Sequence, residues 1–192
     1  MKNNILLFVL VMALPFVSYE QAHIDTIPAY LKNTAIPSFQ ILTDTVLKKG
    51  VLKDVAGNDS AGMVKDSTWF TNADLPKNRP VVIVYFSPEC SHCQHEAEEL
   101  EKSMDSAGYG LHKAFYVWVS FHPLKDLKKF GSQYHLDKFK NICIGRDLKY
   151  YIPSYFKVEF TPYIGVYNKN GRFVKEFRQG ATPAELAAAL AL

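Results

Sequence analysis

From Val81 to Phe86 every residue is apolar, the pattern of a central strand buried on both faces. After it Cys93, Ala97, Leu100 and Met104 recur at helical spacing. That predicts a helix from Cys90 to about Ser106, with Glu96, Glu98, Glu99, Glu101 and Lys102 mostly on its outer, solvated side. Ala114 to Phe121 predicts a second apolar strand. His122-Pro123 opens a helix to roughly Tyr134, and Leu148 to Lys157 reads as a helix interrupted by Pro153. Tyr163–Asn168 and Arg172–Phe177 are strands flanking the hairpin turn Asn168-Lys-Asn-Gly171. Thr182 as N-cap, Pro183 at the first position and Glu185 at the third start a closing helix to Ala191.

The core order is therefore β-α-β, a helix, then β-β-α. Its first half requires a right-handed parallel crossover, and the hairpin adds an antiparallel pair to the same sheet. The fold class is α/β: a central mixed sheet flanked by helices over residues 76–192, entered through the turn Pro76–Pro80. Ahead of it, residues 23–75 form an N-terminal β-hairpin extension. Pro37–Leu42 and Ser67–Thr71 read as its strands, and the polar stretch containing Gly50, Gly57 and Gly62 reads as a loop or loose hairpin.

The 192 residues and 48% hydrophobic content fit one substantial domain plus an extension. A net charge of +3, with no cationic cluster interleaved with aromatics, sets nucleic acid aside. Residues 1–22 read as a secretory signal or an uncleaved anchor. The apolar run Ile5–Val17 is broken by Pro15 and too short to span a bilayer comfortably, so no stable membrane span is expected. No cysteine follows that run, which argues against a lipoprotein. Export to a periplasm or other extracytoplasmic space follows.

Three cysteines in an exported chain suggest one working pair and a leftover thiol. Cys143, in the apolar run Asn141-Ile-Cys-Ile144, reads as a small buried hydrophobe. The pair is Cys90-Ser-His-Cys93, which follows a strand and opens a helix. Unpaired N–H groups and the dipole at a helix N-terminus favour an anion, and the thiolate is the nucleophilic form of cysteine. Cys93, one turn on, begins the inward stripe. One activated, exposed sulfur with a sheltered partner is the layout of a thiol–disulfide exchange site. No cofactor is needed beyond the redox-active Cys90–Cys93 disulfide itself.

The strand, the C-x-x-C helix and the distant Thr161-Pro162 before a hairpin together resemble the thioredoxin superfamily. The likeness runs over about Pro76 to Leu192 and is greatest to the exported branch that includes reductants of cytochrome c maturation. That branch also carries an N-terminal hairpin in which a Pro-x-Phe strand, here Pro37-Ser-Phe39, precedes the core. The resemblance implies a thioredoxin-like fold, a cis Pro162 beside the cysteines, and a groove in which a substrate chain lies against the Thr161 backbone. It implies protein thiols or disulfides as substrates and a membrane thiol relay as electron donor. The chain departs from the family at three places: Glu89 stands where tryptophan is common, Val84 where many members bury an aspartate, and Ser91-His92 between the cysteines.

These departures bear on redox tuning. An imidazolium at His92 would favour a Cys90 thiolate and raise the potential, from about −270 mV toward about −120 mV. A carboxylate at Glu89 would push the other way, or could serve Cys93 as proton acceptor in place of the missing aspartate. A metal site on Cys90, Cys93, His92 and His95 is disfavoured, because the four do not converge on one helical face. A peroxiredoxin is disfavoured because Ile83 occupies the position of its signature proline. The aromatic run Tyr150, Tyr151, Tyr155, Phe156 and Phe160 reads as a packed helix face, or else as the wall of a partner groove. The expectation is an exported reductase of envelope disulfides with Cys90 as nucleophile and Cys93 as resolving thiol. Its rivals are an oxidase or isomerase, and a binding module that keeps the fold.

Overall fold

The computed structural model describes residues 28–43, 68–106 and 108–191. The signal-like segment 1–22 and the stretch holding Gly50, Gly57 and Gly62 lie outside the described residues. Among the described residues, seven strands, β1 Gln40–Thr43, β2 Thr68–Thr71, β3 Val81–Tyr85, β4 Phe115–Ser120, β5 Ile142–Arg146, β6 Tyr163–Tyr167 and β7 Phe173–Phe177, form one sheet in the order β2-β1-β5-β4-β3-β6-β7. β3, β4 and β5 are mutually parallel, while β6, β7, β1 and β2 join antiparallel. The helices are α1 Ala29–Lys32, α2 Ser91–Met104, α3 Leu124–Gln133, α4 Tyr151–Phe156 and α5 Pro183–Leu190.

β3 and β4 read as unbroken apolar runs because both faces of the sheet are covered. Val82, Val84, Tyr116 and Trp118 pack with α2, α3 and α5, and Val81, Ile83, Tyr85, Phe115, Val117 and Val119 pack with α1 and α4. Phe39, Ile41 and Phe70 extend the second cluster, so the hairpin β1–β2 shares the core of the sheet it joins.

The expected β-α-β, helix, β-β-α order needs one correction, and the extension ahead of it another. β5 is an additional parallel strand between α3 and α4. Its apolar run is only Ile142-Cys143-Ile144 before Gly145-Arg146, too short to announce a strand beside the six-residue runs around it. Gly145 is needed there: a Cβ would lie 2.6 Å from Ile41 Cδ1 and 3.0 Å from the Leu42 carbonyl, where β1 crosses it. The short α1 is the other addition.

The helix expected from Leu148 starts later. The buried Asp147 carboxylate accepts hydrogen bonds from the N–H groups of Lys149 (3.1 Å) and Ile152 (2.8 Å), and Tyr150 turns left-handed at φ 52°. α4 follows, which puts Pro153 in a first turn, where its missing N–H breaks no helical bond. At the closing helix, Thr182 and Glu185 form the expected reciprocal capping box.

Candidate active site

β3 ends between β4 and β6, and the chain leaves it through Phe86-Ser-Pro-Glu to Cys90, the N-cap of α2 (φ −80°, ψ 119°). The turn is tied down from several sides. Phe86 N–H donates to the Val119 carbonyl (3.0 Å), Cys90 N–H to Ser87 O (3.1 Å) and Gln94 Nε2 to Pro88 O (2.9 Å). Ser87 Oγ shares a hydrogen bond with His122 Nε2 at 3.3 Å, which links the turn to the end of β4.

The two thiols stand in different surroundings. Cys90 is half-buried and its Sγ donates to the Thr161 carbonyl at 3.4 Å. Partial burial pushes its pKa up, but hydrogen bonds from the Cys93 thiol, the Thr161 side chain and the backbone N–H groups of Cys93 and His92 outweigh this. The net effect holds the Cys90 thiol below its ordinary value, because a thiolate gains most from several converging donors. Cys93 is fully buried. Burial pushes its thiol up to about 12, against a favourable Ser87 N–H, and the adjacent Cys90 adds to the rise.

Thr161-Pro162 is a cis peptide bond just before β6, and Pro162 is buried. Thus Cys90, Cys93, Thr161 and Pro162 are brought together from segments some seventy residues apart. Glu89 and His92 lie on the exposed rim, and His92 reaches Cys90 through its backbone N–H. Cys143 is buried in β5, on the second face of the sheet. Among the described residues, no three His, Cys, Asp or Glu side chains are grouped as metal ligands would be.

One residue was misread in the sequence. Glu96, counted with the solvated charges of α2, is largely enclosed. Its Oε2 accepts from Ala181 N–H at 3.0 Å, and a Cβ on Gly180 would lie 2.8 Å from that oxygen and 3.4 Å from Pro162 Cγ. Burial raises its carboxyl to about 7, with the Ala181 N–H opposing and Glu185 and Glu99 adding. The signal was available: Glu96 follows Cys93 by three and precedes Ala97 by one, which places it on the inward edge of the stripe. The aromatic run divides as well. Phe156 is buried and Tyr155 half-buried, whereas Tyr150, Tyr151 and Phe160 are exposed.

A low-pKa thiol at a helix N-terminus, hydrogen-bonded to a buried high-pKa thiol, is apparatus for thiol–disulfide exchange. The chain belongs to the thioredoxin-like family, whose thioredoxin-like domain matches residues 73–192. No curated protein matches the chain in sequence. Among solved structures, a secreted Mycobacterium tuberculosis disulfide oxidoreductase homologous to E. coli DsbE is 20% identical, with a TM-score of 0.52 over 64% of this chain and 87% of its own. A thio-disulfide isomerase from Thermus thermophilus is 21% identical, with a TM-score of 0.53 over 82% and 92%. A thiol:disulfide interchange protein of the thioredoxin family from Chlorobium tepidum is 14% identical, with a TM-score of 0.55 over 82% and 94%. At these identities the likeness is one of fold.

Proposed function

We propose that this protein is an extracytoplasmic thiol–disulfide oxidoreductase that reduces disulfides of envelope proteins. The observation that carries the reading is the contrast between the two thiols of one turn. The Cys90 thiolate attacks one sulfur of a substrate disulfide; a Cys90–substrate S–S bond forms and the second substrate sulfur leaves as thiolate. Cys93 then loses its proton and attacks Cys90 Sγ, releasing the first substrate sulfur and leaving the Cys90–Cys93 disulfide. The Cys90 charge and hydrogen bond both help keep Cys93 protonated. Once Cys90 is consumed in a mixed disulfide, both contributions vanish, so Cys93 ionises more readily at the step that requires it. Thr161 presents its backbone to the substrate chain beside Cys90.

Export rests on the signal-like residues 1–22 and on the secreted relative of like fold. Reduction rests on the resemblance to the exported reductant branch, with a membrane thiol relay as the electron donor. No helix among the described residues is long and apolar enough to cross a membrane.

The test is the reduction potential of the Cys90–Cys93 pair, measured by equilibrating a Cys143→Ser protein in graded dithiothreitol or glutathione buffers and counting free thiols. A value near or below about −270 mV supports a reductant. A value well above about −200 mV assigns an oxidase or isomerase instead, and the absence of a reversible two-electron couple refutes exchange chemistry.

A further inference from the structure

Five of the seven exposed large apolar side chains among the described residues, Phe121, Leu148, Tyr150, Tyr151 and Phe160, come from segments at the end of the sheet where β3, β4 and β5 terminate. Phe160 is 60% exposed and adjoins Thr161, while Phe121 and Tyr150 are 38% and 51% exposed on the β4–β5 side. Three rings form a ladder that begins at the reactive turn. Ser87, whose carbonyl holds Cys90 N–H, is bonded to His122. The His122 ring lies 4.3 Å from that of Phe121, which stacks on Tyr150 at 5.3 Å and 23°.

Tyr150 is held in place at a conformational cost. Its left-handed backbone (φ 52°, ψ 32°) suits glycine or asparagine better than a bulky residue. It is fixed by the buried Asp147 carboxylate on one side and by Ser154 Oγ, which donates to the Tyr150 carbonyl at 2.7 Å, on the other. The backbone is thus constrained so as to project an aromatic ring into solvent. Strain at a residue whose ring is half exposed and stacks only on another exposed ring, that of Phe121, points to use at that surface.

We infer that the His122–Phe121–Tyr150 ladder is the docking rail for an extended segment of the substrate polypeptide, and that it takes an aromatic side chain of that segment. The inference rests on the thiol–disulfide reading, since the rail is continuous with the turn that presents Cys90. Adjacent strands lie about 4.8 Å apart, so the end of β5 is about 10 Å from that of β3. An extended chain covers that in about three residues. The preferred partner therefore carries an aromatic residue about three positions from its reacting cysteine.

Two short peptides test this, each with one cysteine activated as a 2-pyridyl disulfide. One has phenylalanine three residues away on both sides, and the other has serine at those places. In Cys93→Ser protein, Cys90 forms the peptide disulfide, the peptide–pyridyl S–S bond breaks, and 2-thiopyridine leaves and is counted. The phenylalanine peptide should react about five- to tenfold faster, as expected for one ring stacked at a site. Phe121→Ala, and Tyr150→Asn, which suits the left-handed backbone, should each bring that ratio close to one. A ratio near one in the unmutated rail, or one unchanged in both variants, overturns the inference. A serine-for-cysteine version of the phenylalanine peptide should also shift the ring signals of Phe121 and Tyr150 in NMR spectra of full-length protein; no shift overturns it. So does a dimer of this chain that covers both rings. Reaction with glutathione disulfide is read separately: failure there sinks exchange chemistry itself, whereas normal exchange without aromatic preference removes only the rail.

Discussion

The rim and the floor of the site each carry a glutamate, to different ends. On the rim, Glu89, Ser91, His92 and His95 are exposed. On the floor, Cys93 is buried, and Glu96 is folded under the Gly180–Ala181 loop beside Pro162. Charges on the rim are screened by water, while those on the floor bear the cost of desolvation. That is why a thiol and a carboxyl on the floor are both displaced far upward, to about 12 and about 7. The difference teaches that position on the turn and first two turns of α2, more than residue type, sets which side chains bear the cost of desolvation. It can be broken or sharpened by substitution.

The largest effect should come from the cysteines. Cys90→Ser should lower disulfide exchange at least ~10³-fold, because a hydroxyl in that place is no nucleophile at neutral pH. Cys93→Ser should leave the first attack intact and accumulate a stable Cys90–substrate disulfide, visible by intact mass. Equal loss of the first step in both variants would contradict the division of labour between the two thiols.

Next is Glu96. Its folded value of about 7 exceeds the ordinary 4.5, so the native state holds the proton more tightly than the unfolded chain. Stability is therefore unaffected below pH 4.5, falls as pH rises through this window, and bears the full cost above 7. That cost is on the order of 3 kcal/mol. Glu96→Gln keeps an acceptor for Ala181 N–H and removes the charge. It should raise stability above pH 7 by up to that amount and leave it unchanged at pH 4, as read from urea unfolding at both values. A gain that does not depend on pH would mean the carboxyl is not desolvated. Gly180→Ala should follow, at about 1–2 kcal/mol lost, since Gly180 has φ 94° and its added Cβ would meet Glu96 and Pro162. An unchanged urea midpoint would show that this loop gives way.

Much of this arrangement was legible in the sequence, where local rules and tertiary demands agree. The six-residue apolar runs, the Asn168–Gly171 turn with Gly171 at φ 72°, and the Thr182–Glu185 capping box all stand where their chemistry puts them. The cysteine pair was legible because strand, turn and helix N-terminus follow one another directly. β5 was missed because three apolar residues cannot outweigh a following glycine, and the reason for that glycine is a contact with Ile41, about a hundred residues away. Glu96 was misread for a related reason. A charge on the edge of an apolar stripe is solvated unless another segment closes over it, and here that segment is Gly180-Ala181. The aromatic run divided because Asp147 delays α4 by three residues, which turns Tyr150 outward while Ile152 and Phe156 go in.

The smallest effects should belong to the rim. The His92 imidazole is exposed, and the contact that His92 makes with Cys90 is through its backbone N–H, which His92→Ala retains. Glu89 is also exposed, so its charge faces the same screening as any surface carboxylate. Substitutions at such positions stay within about 0.5 kcal/mol, which for a two-electron couple is about 10 mV. His92→Ala and Glu89→Gln should each move the Cys90–Cys93 potential by no more than that, with opposite signs: downward for His92→Ala, which removes a source of positive charge, and upward for Glu89→Gln, which removes a negative one. The shifts should shrink further at high salt. A shift of several tens of millivolts from His92→Ala would show that the imidazole reaches the Cys90 sulfur, and would move the tuning of this site from its floor to its rim.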